Sequence, residues 1–196
     1  GLQVVAASAG RAGIDPQARI PRQQVVPVAE VALHVQVLVD SLAVGRLGFV
    51  GVKLYPSLDE RFDWKAGGRL FGWCERHEVP LMVHCNDKGF DLSEVSAGQS
   101  DPDKWRVILA AHPALRVCFG HFGGDADLTA RRFPDGGWTR IVLDLMRAHA
   151  GVYADVSFHP AAMDGGAGAR RYFDRLGGWI RDPVIGGRIL FGSDFY

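Results

Sequence analysis

Short apolar runs recur along the chain, and each ends in a residue able to do chemistry. They are Phe49-Val50-Gly51-Val52-Lys53, Leu81-Met82-Val83-His84, Val117-Cys118-Phe119-Gly120-His121, Val152-Tyr153-Ala154-Asp155 running on to Ser157, and Ile189-Leu190-Phe191-Gly192-Ser193-Asp194. The last residues of these runs are 31, 37, 36 and 37 positions apart. That spacing accommodates one strand, one helix and two loops. The segments between the runs carry the helical period. Asp101-Pro102 reads as an N-cap with proline in the first turn, followed by the stripe Trp105, Ile108 and Leu109. Trp138, Ile141, Val142, Leu145 and Met146 form a second stripe, and Tyr172, Phe173, Leu176 and Ile180 a third. A helix from Trp64 to His77 precedes the His84 strand, weakened by Gly67-Gly68.

Alternating strands and helices predict an α/β fold of parallel strands joined by right-handed crossovers. An open doubly wound sheet commonly carries a G-x-G-x-x-G turn, and neither Gly120-His121-Phe122-Gly123-Gly124 nor Gly165-Gly166-Ala167-Gly168 has that spacing. A (β/α)8 barrel is preferred, because a closed ring brings the ends of several strands to one centre. The expected organisation is one partial barrel domain over 1–196, with residues 48–196 supplying strands 4 to 8. Residues 1–47 form a less regular β/α segment, with strands at Leu2–Ala7 and Gln24–Val31 and a helix from Val31 to Ala43. Counting these, the chain holds about strands 3 to 8. A full barrel typically takes about 250 residues.

Composition narrows the function class. The 196 residues are 47% hydrophobic and 22% charged, with 22 basic and 22 acidic side chains. That balance gives no field to attract nucleic acid or an anionic membrane. No apolar stretch is long enough to span a bilayer, and the first residues lack a signal-peptide pattern. Three cysteines, Cys74, Cys85 and Cys118, lie in or beside apolar segments. They read as buried thiols of a reducing, cytoplasmic compartment.

The candidate chemistry sits at the strand ends. His84 closes a run too apolar for an exposed strand, and is read as a metal ligand or as a hydrogen-bonded structural histidine. His121 repeats the arrangement one unit later, where it can bind metal or act as general acid or base. Asp194 ends an apolar run, where a carboxylate is costly unless paired or bound to a cation. It is the best candidate for metal ligand and proton acceptor from a metal-bound water. Lys53 and Tyr55 share a strand face; the lysine can be carboxylated, bind a substrate carboxylate or pair with an acid, and the last two are favoured. Asp155 and Ser157 suit the orienting of ligands. His159, beyond the strand end, meets substrate or solvent. His34, His77, His112 and His149 belong to helices, the second and fourth near C-termini where the dipole favours them. Lys88, Arg131 and Arg132 can meet a substrate carboxylate, with surface exposure the more ordinary use.

Taken in order, Gly51-Val52-Lys53-Leu54-Tyr55-Pro56, Val79-Pro80-Leu81-Met82-Val83-His84-Cys85, Phe119-Gly120-His121-Phe122-Gly123-Gly124, Val152-Tyr153-Ala154-Asp155-Val156-Ser157 and Arg188-Ile189-Leu190-Phe191-Gly192-Ser193-Asp194 resemble the strand-end motifs of the amidohydrolase superfamily. Within it they are most similar to the branch related to aminocarboxymuconate semialdehyde decarboxylase. The resemblance runs from about Gly48 to Tyr196. It implies a TIM barrel and a divalent metal, usually zinc. It also implies His84 and Asp194 as metal ligands, and His121 as the group that polarises substrate or moves protons. The implied activity is hydrolysis of a small organic substrate by a metal-activated water, with non-oxidative decarboxylation as the alternative. One departure is clear: the family's first strand carries an H-x-H pair, and none of the seven histidines here lies two residues from another. The expectation is therefore a fragment of a longer barrel, with a non-catalytic truncated barrel as the rival and room for a homo-oligomer across the unclosed sheet edges.

Overall fold

The computed structural model describes residues 2–3, 51–58, 62–86, 97–192 and 194. Its six strands, β1 (Leu2–Gln3), β2 (Val52–Leu54), β3 (Leu81–His84), β4 (Val117–Gly120), β5 (Val152–Asp155) and β6 (Ile189–Leu190), form one sheet in sequential order. β2 to β6 are parallel, as expected. β1 departs from that pattern, running antiparallel to β2 with Leu2 opposite Leu54 and Gln3 opposite Lys53. Pairing there covers the β2 edge of the described sheet. The proposed strand over 24–31 and helix over 31–43 lie outside the described residues.

Helices α1 (Trp64–Arg76), α2 (Trp105–Ala111), α3 (Ala126–Thr129), α4 (Trp138–Ala148) and α5 (Gly166–Ile180) fill the connections. Asp101 accepts from the Asp103 N–H at 2.8 Å, and Pro102 opens the short turn that leads into α2. This matches the start signal in the sequence. α1 forms in spite of its glycine pair because Phe71, Trp73 and Cys74 bury against the sheet. In α5 the buried stripe is Ala169, Tyr172 and Leu176, while Phe173 and Ile180 are exposed. Position 173 is one residue past Tyr172, turned by about 100° on an α-helix, away from the sheet.

The period of two assigns the two faces of the sheet. Val52, Leu81, Val117 and Val152 lie in register, as do Leu54, Val83, Phe119 and Ala154; all eight are almost completely buried and belong to the core shared with the helices. Each of these side chains except that of Ala154 contributes roughly 1.5–3 kcal/mol of burial. The alternate residues Lys53, Met82, Cys118 and Tyr153 are also in register and occupy the other face. Strands in sequential order with crossovers of one hand place the helices among the described residues on one side, as in a barrel and unlike a doubly wound sheet. The inner face is thereby left to the strand-end chemistry. No helix among the described residues is long and apolar enough to cross a membrane.

Candidate functional site

Lys53, His84, His121, Asp155 and Ser157 are all buried and gather at the carboxyl ends of β2 to β5. Gly120 makes their approach feasible. A Cβ there would lie 3.1 Å from Lys53 Nζ, 3.3 Å from the Val83 carbonyl oxygen and 3.5 Å from Asp155 Oδ2, so the missing side chain is the space the lysine and carboxylate enter. Lys53 Nζ also lies 5.2 Å from the centre of the Tyr55 ring. Burial lowers the lysine pKa, and the charges of Asp155 and Asp194 oppose that shift. The lysine therefore lies within the electrostatic reach of both carboxylates.

Asp155 is a buried carboxylate with its donors in place. Oδ1 accepts from the backbone N–H of His121 at 3.1 Å, from the N–H of Ser157 at 3.0 Å and from the Ser157 hydroxyl. The Cys118 thiol reaches Oδ2 at 3.9 Å, and burial with the adjacent carboxylate pushes that thiol up to about 12. Cys118 is therefore a protonated, unreactive thiol. None of Cys74, Cys85 and Cys118 is in a disulfide; the first two are buried as the sequence suggested, whereas Cys118, on the inner face, is half-buried.

The His84 and His121 rings stand edge to face with centroids 4.8 Å apart, and Tyr55 stacks on His84 at 5.5 Å. Burial, then the neighbouring His121 and Lys53, depress the His84 pKa to about 3. Its imidazole is neutral at physiological pH, the form that binds metals. Nδ1 of His121 lies 3.1 Å from the Ser157 carbonyl oxygen and 3.1 Å from the Ser157 hydroxyl. A carbonyl only accepts, so the neutral ring carries its proton on Nδ1 and keeps a lone pair on Nε2.

His121 is held in this pose at a conformational cost. Its φ is 69°, and Phe122, Gly123 and Gly124 follow at 50°, 83° and 91°. For the two non-glycine residues the left-handed region costs roughly 1–2 kcal/mol each. The turn is offset by the Asp155 bond to the His121 N–H, by the Gly123 N–H donating to the Cys85 carbonyl at 3.0 Å, and by complete burial of Phe122 against Trp179. Such concentrated strain is characteristic of working sites.

Two sequence expectations change. His159 meets neither solvent nor open space: it is 7% exposed, its Nδ1 lies 2.8 Å from the Tyr172 hydroxyl and its Nε2 lies 2.7 Å from the His121 carbonyl oxygen. Both ring nitrogens are occupied by protein groups, so a substrate has no polar atom there to bind. Asp194 is exposed and left-handed, with φ 56°, instead of being a carboxylate buried in a strand, because β6 ends at Leu190. Arg131 and Arg132 are exposed, and Lys88 lies outside the described residues. His112 bonds Glu75 at 3.0 Å, far from the strand ends. Tyr172 was legible only as part of an apolar stripe, although a buried tyrosine hydroxyl needs a partner. Asp125, whose charge acts on both His159 and Tyr172, carried no signal in the sequence.

The donors present fit a divalent cation in kind: a neutral imidazole at His84, a bare Nε2 on His121 and a carboxylate at Asp194. They do not complete a ligand set, since among the described residues no three His, Cys, Asp or Glu side chains converge on one point.

A family model described as Amidohydrolase matches residues 36–196. The search of curated proteins found no match. Among solved structures, an uncharacterized TIM-barrel protein from Bordetella bronchiseptica is similar at 15% identity and a TM-score of 0.56, covering 88% of this chain and 52% of its own. An amidohydrolase from Burkholderia multivorans with bound zinc is similar at 15% identity and a TM-score of 0.52, covering 86% of this chain and 65% of its own. At that identity the likeness is one of fold, and this chain spans about half the length of the first structure. The parallel sheet with its helices on one face is thus part of a TIM barrel, and with the family model matching most of its length the chain belongs to the amidohydrolase family.

Proposed function

We propose that the protein is a metal-dependent hydrolase acting on a small organic substrate at the carboxyl-end mouth of the barrel. The observation that carries this reading is the pair of buried imidazoles 4.8 Å apart, one neutral and the other held so that Nε2 is its only ring nitrogen without a hydrogen bond among the described residues. His84 and Asp194 would hold the cation, most suitably zinc, as in the zinc-containing neighbour. When bound, the cation supplies a Lewis acid for a carbonyl oxygen and lowers the pKa of water.

The chain's own residues do the rest. His121 accepts or returns a proton at Nε2, with its Nδ1–H fixed by Ser157. Lys53 and Tyr55 line the substrate side of the site, where the lysine offsets the charge of Asp155 or of a substrate carboxylate. Three cysteines outside any disulfide suit a reducing compartment, here the cytoplasm.

The test is metal analysis of the purified intact protein, followed by assay on lactones and carboxylated aromatics. Stoichiometric zinc that is lost in His84→Ala, with hydrolysis of a lactone or amide, is the expected outcome. Carbon dioxide release without hydrolysis would reassign the reaction as decarboxylation. Absence of any bound divalent metal would refute the enzyme and leave a non-catalytic barrel.

A further inference from the structure

His121 has four polar positions, and three of them are tied down. Its N–H donates to Asp155, its Nδ1–H to Ser157, and its carbonyl oxygen accepts from the Gly124 N–H at 2.7 Å and from His159 at 2.7 Å. The first, second and Gly124 bonds are local to the strand ends and the turn. The His159 bond comes from elsewhere, since His159 is itself held by Tyr172 of α5.

We infer that His159 and Tyr172 form a brace that positions His121: the Tyr172 hydroxyl donates to His159 Nδ1, and His159 Nε2–H donates to the His121 carbonyl, holding the left-handed turn that fixes the His121 ring. The direction of each bond follows from the acceptor at its end. A carbonyl oxygen can only accept, so His159 carries its proton on Nε2, and its bare Nδ1 must receive a proton from the phenol. The groups around the brace agree with this state. Burial keeps the His159 pKa below its ordinary value against the opposing pull of its bond to the His121 carbonyl and then of Asp125 and Asp155, which favours the neutral ring. Burial and the Asp125 charge push Tyr172 up to about 12, so it stays a phenol. Asp125 is anchored in turn, accepting the Ala161 N–H at 2.8 Å two residues after His159.

A left-handed histidine followed by a left-handed phenylalanine does not persist without such support. His159 acts through His121, and is a positioning residue. The inference rests on the reading of His121 as the proton-transfer group, but its test does not depend on turnover or on metal.

The test is side-chain nitrogen NMR of the histidine rings in the intact protein, with His121 assigned by substitution. Wild type should show His121 with two well separated ring nitrogens and the proton on Nδ1. In His159→Leu those two signals should converge as the tautomers mix, while dispersed amide signals from β4 and α4 report a folded chain. His159→Gln, which keeps a side-chain N–H donor, should restore the separated pattern. An unchanged His121 spectrum in folded His159→Leu overturns the brace, as does a folded His159→Gln that fails to restore it. If His159→Leu does not fold, Tyr172→Phe decides: mixed tautomers at His159 with a shifted His121 support the inference, and unaltered rings overturn it.

Discussion

A methyl group at position 120 would press on Lys53 Nζ at 3.1 Å and on the Val83 carbonyl at 3.3 Å, although the backbone there, with φ −63° and ψ 136°, accepts any residue. Gly120→Ala is therefore a purely steric probe of the site. The lysine end can move but the carbonyl cannot, and the substitution should cost about 1–3 kcal/mol, as overpacking does. The shift of the urea midpoint measures it. Gly123→Ala should cost more, because a Cβ there would lie 2.6 Å from the Thr139 nitrogen in addition to a φ of 83°. At this scale the sequence disclosed His84, His121, Asp155 and Ser157 because each follows or ends an apolar strand, and period and position alone place such residues at the mouth. It could not disclose the inward turn of His159. Whether a residue beyond a strand end points to solvent or to another loop depends on a contact 38 positions back in the chain, at the His121 carbonyl.

Between elements, much of the holding is done by single charged side chains that satisfy backbone groups. Arg188 donates at 2.8 Å to the carbonyls of His149, Val152 and Val184, which tie the end of α4, the start of β5 and the loop after α5. Arg188→Met leaves those carbonyls without their charged donor and should destabilise by about 2–4 kcal/mol, since hydrogen bonds to charged groups are each worth about 1.5–3 kcal/mol and do not add fully. Arg188→Lys should recover only part of that, having lost the planar fork. Glu75 does the same for α1, accepting the Ala114 N–H at 2.9 Å and pairing with His112. The Ala114 bond, then His112, hold its carboxyl below the ordinary 4.5. Its contribution to stability is complete above that value. It is lost as the pH falls from 4.5 through the lowered value, because the unfolded chain takes up the proton first. Unfolding midpoints along that acid limb should fall less steeply in Glu75→Gln. The helices themselves were legible from their stripes and from the Asp101-Pro102 start. These ties were not, since surface Arg and Glu carry no period.

For the whole molecule, the decisive property is that helices cover one side of the sheet and chemistry the other. Leu81 and Met82 are neighbours in β3, yet Leu81 is 1% exposed within the shared core while Met82 is 39% exposed on the inner face. A doubly wound sheet would bury both faces under helices, and truncating either residue would open a cavity. In the partial barrel only one should. Leu81→Ala is expected to cost about 2–5 kcal/mol, in the range of buried leucine truncations, whereas Met82→Ala should change stability by no more than about 1 kcal/mol because its side chain already meets solvent. Equilibrium denaturation of the two variants, compared at constant slope, measures the difference. Equal large losses would mean that a further element packs against the inner face at Met82. The parallel, sequential architecture was legible because the hydrophobic runs recur at the length of a β/α unit. The antiparallel Leu2–Gln3 edge was not, since two residues carry too little pattern to reveal their direction. The predicted contrast at positions 81 and 82 thus tests, in one pair of variants, whether the helices cover one face of the sheet alone.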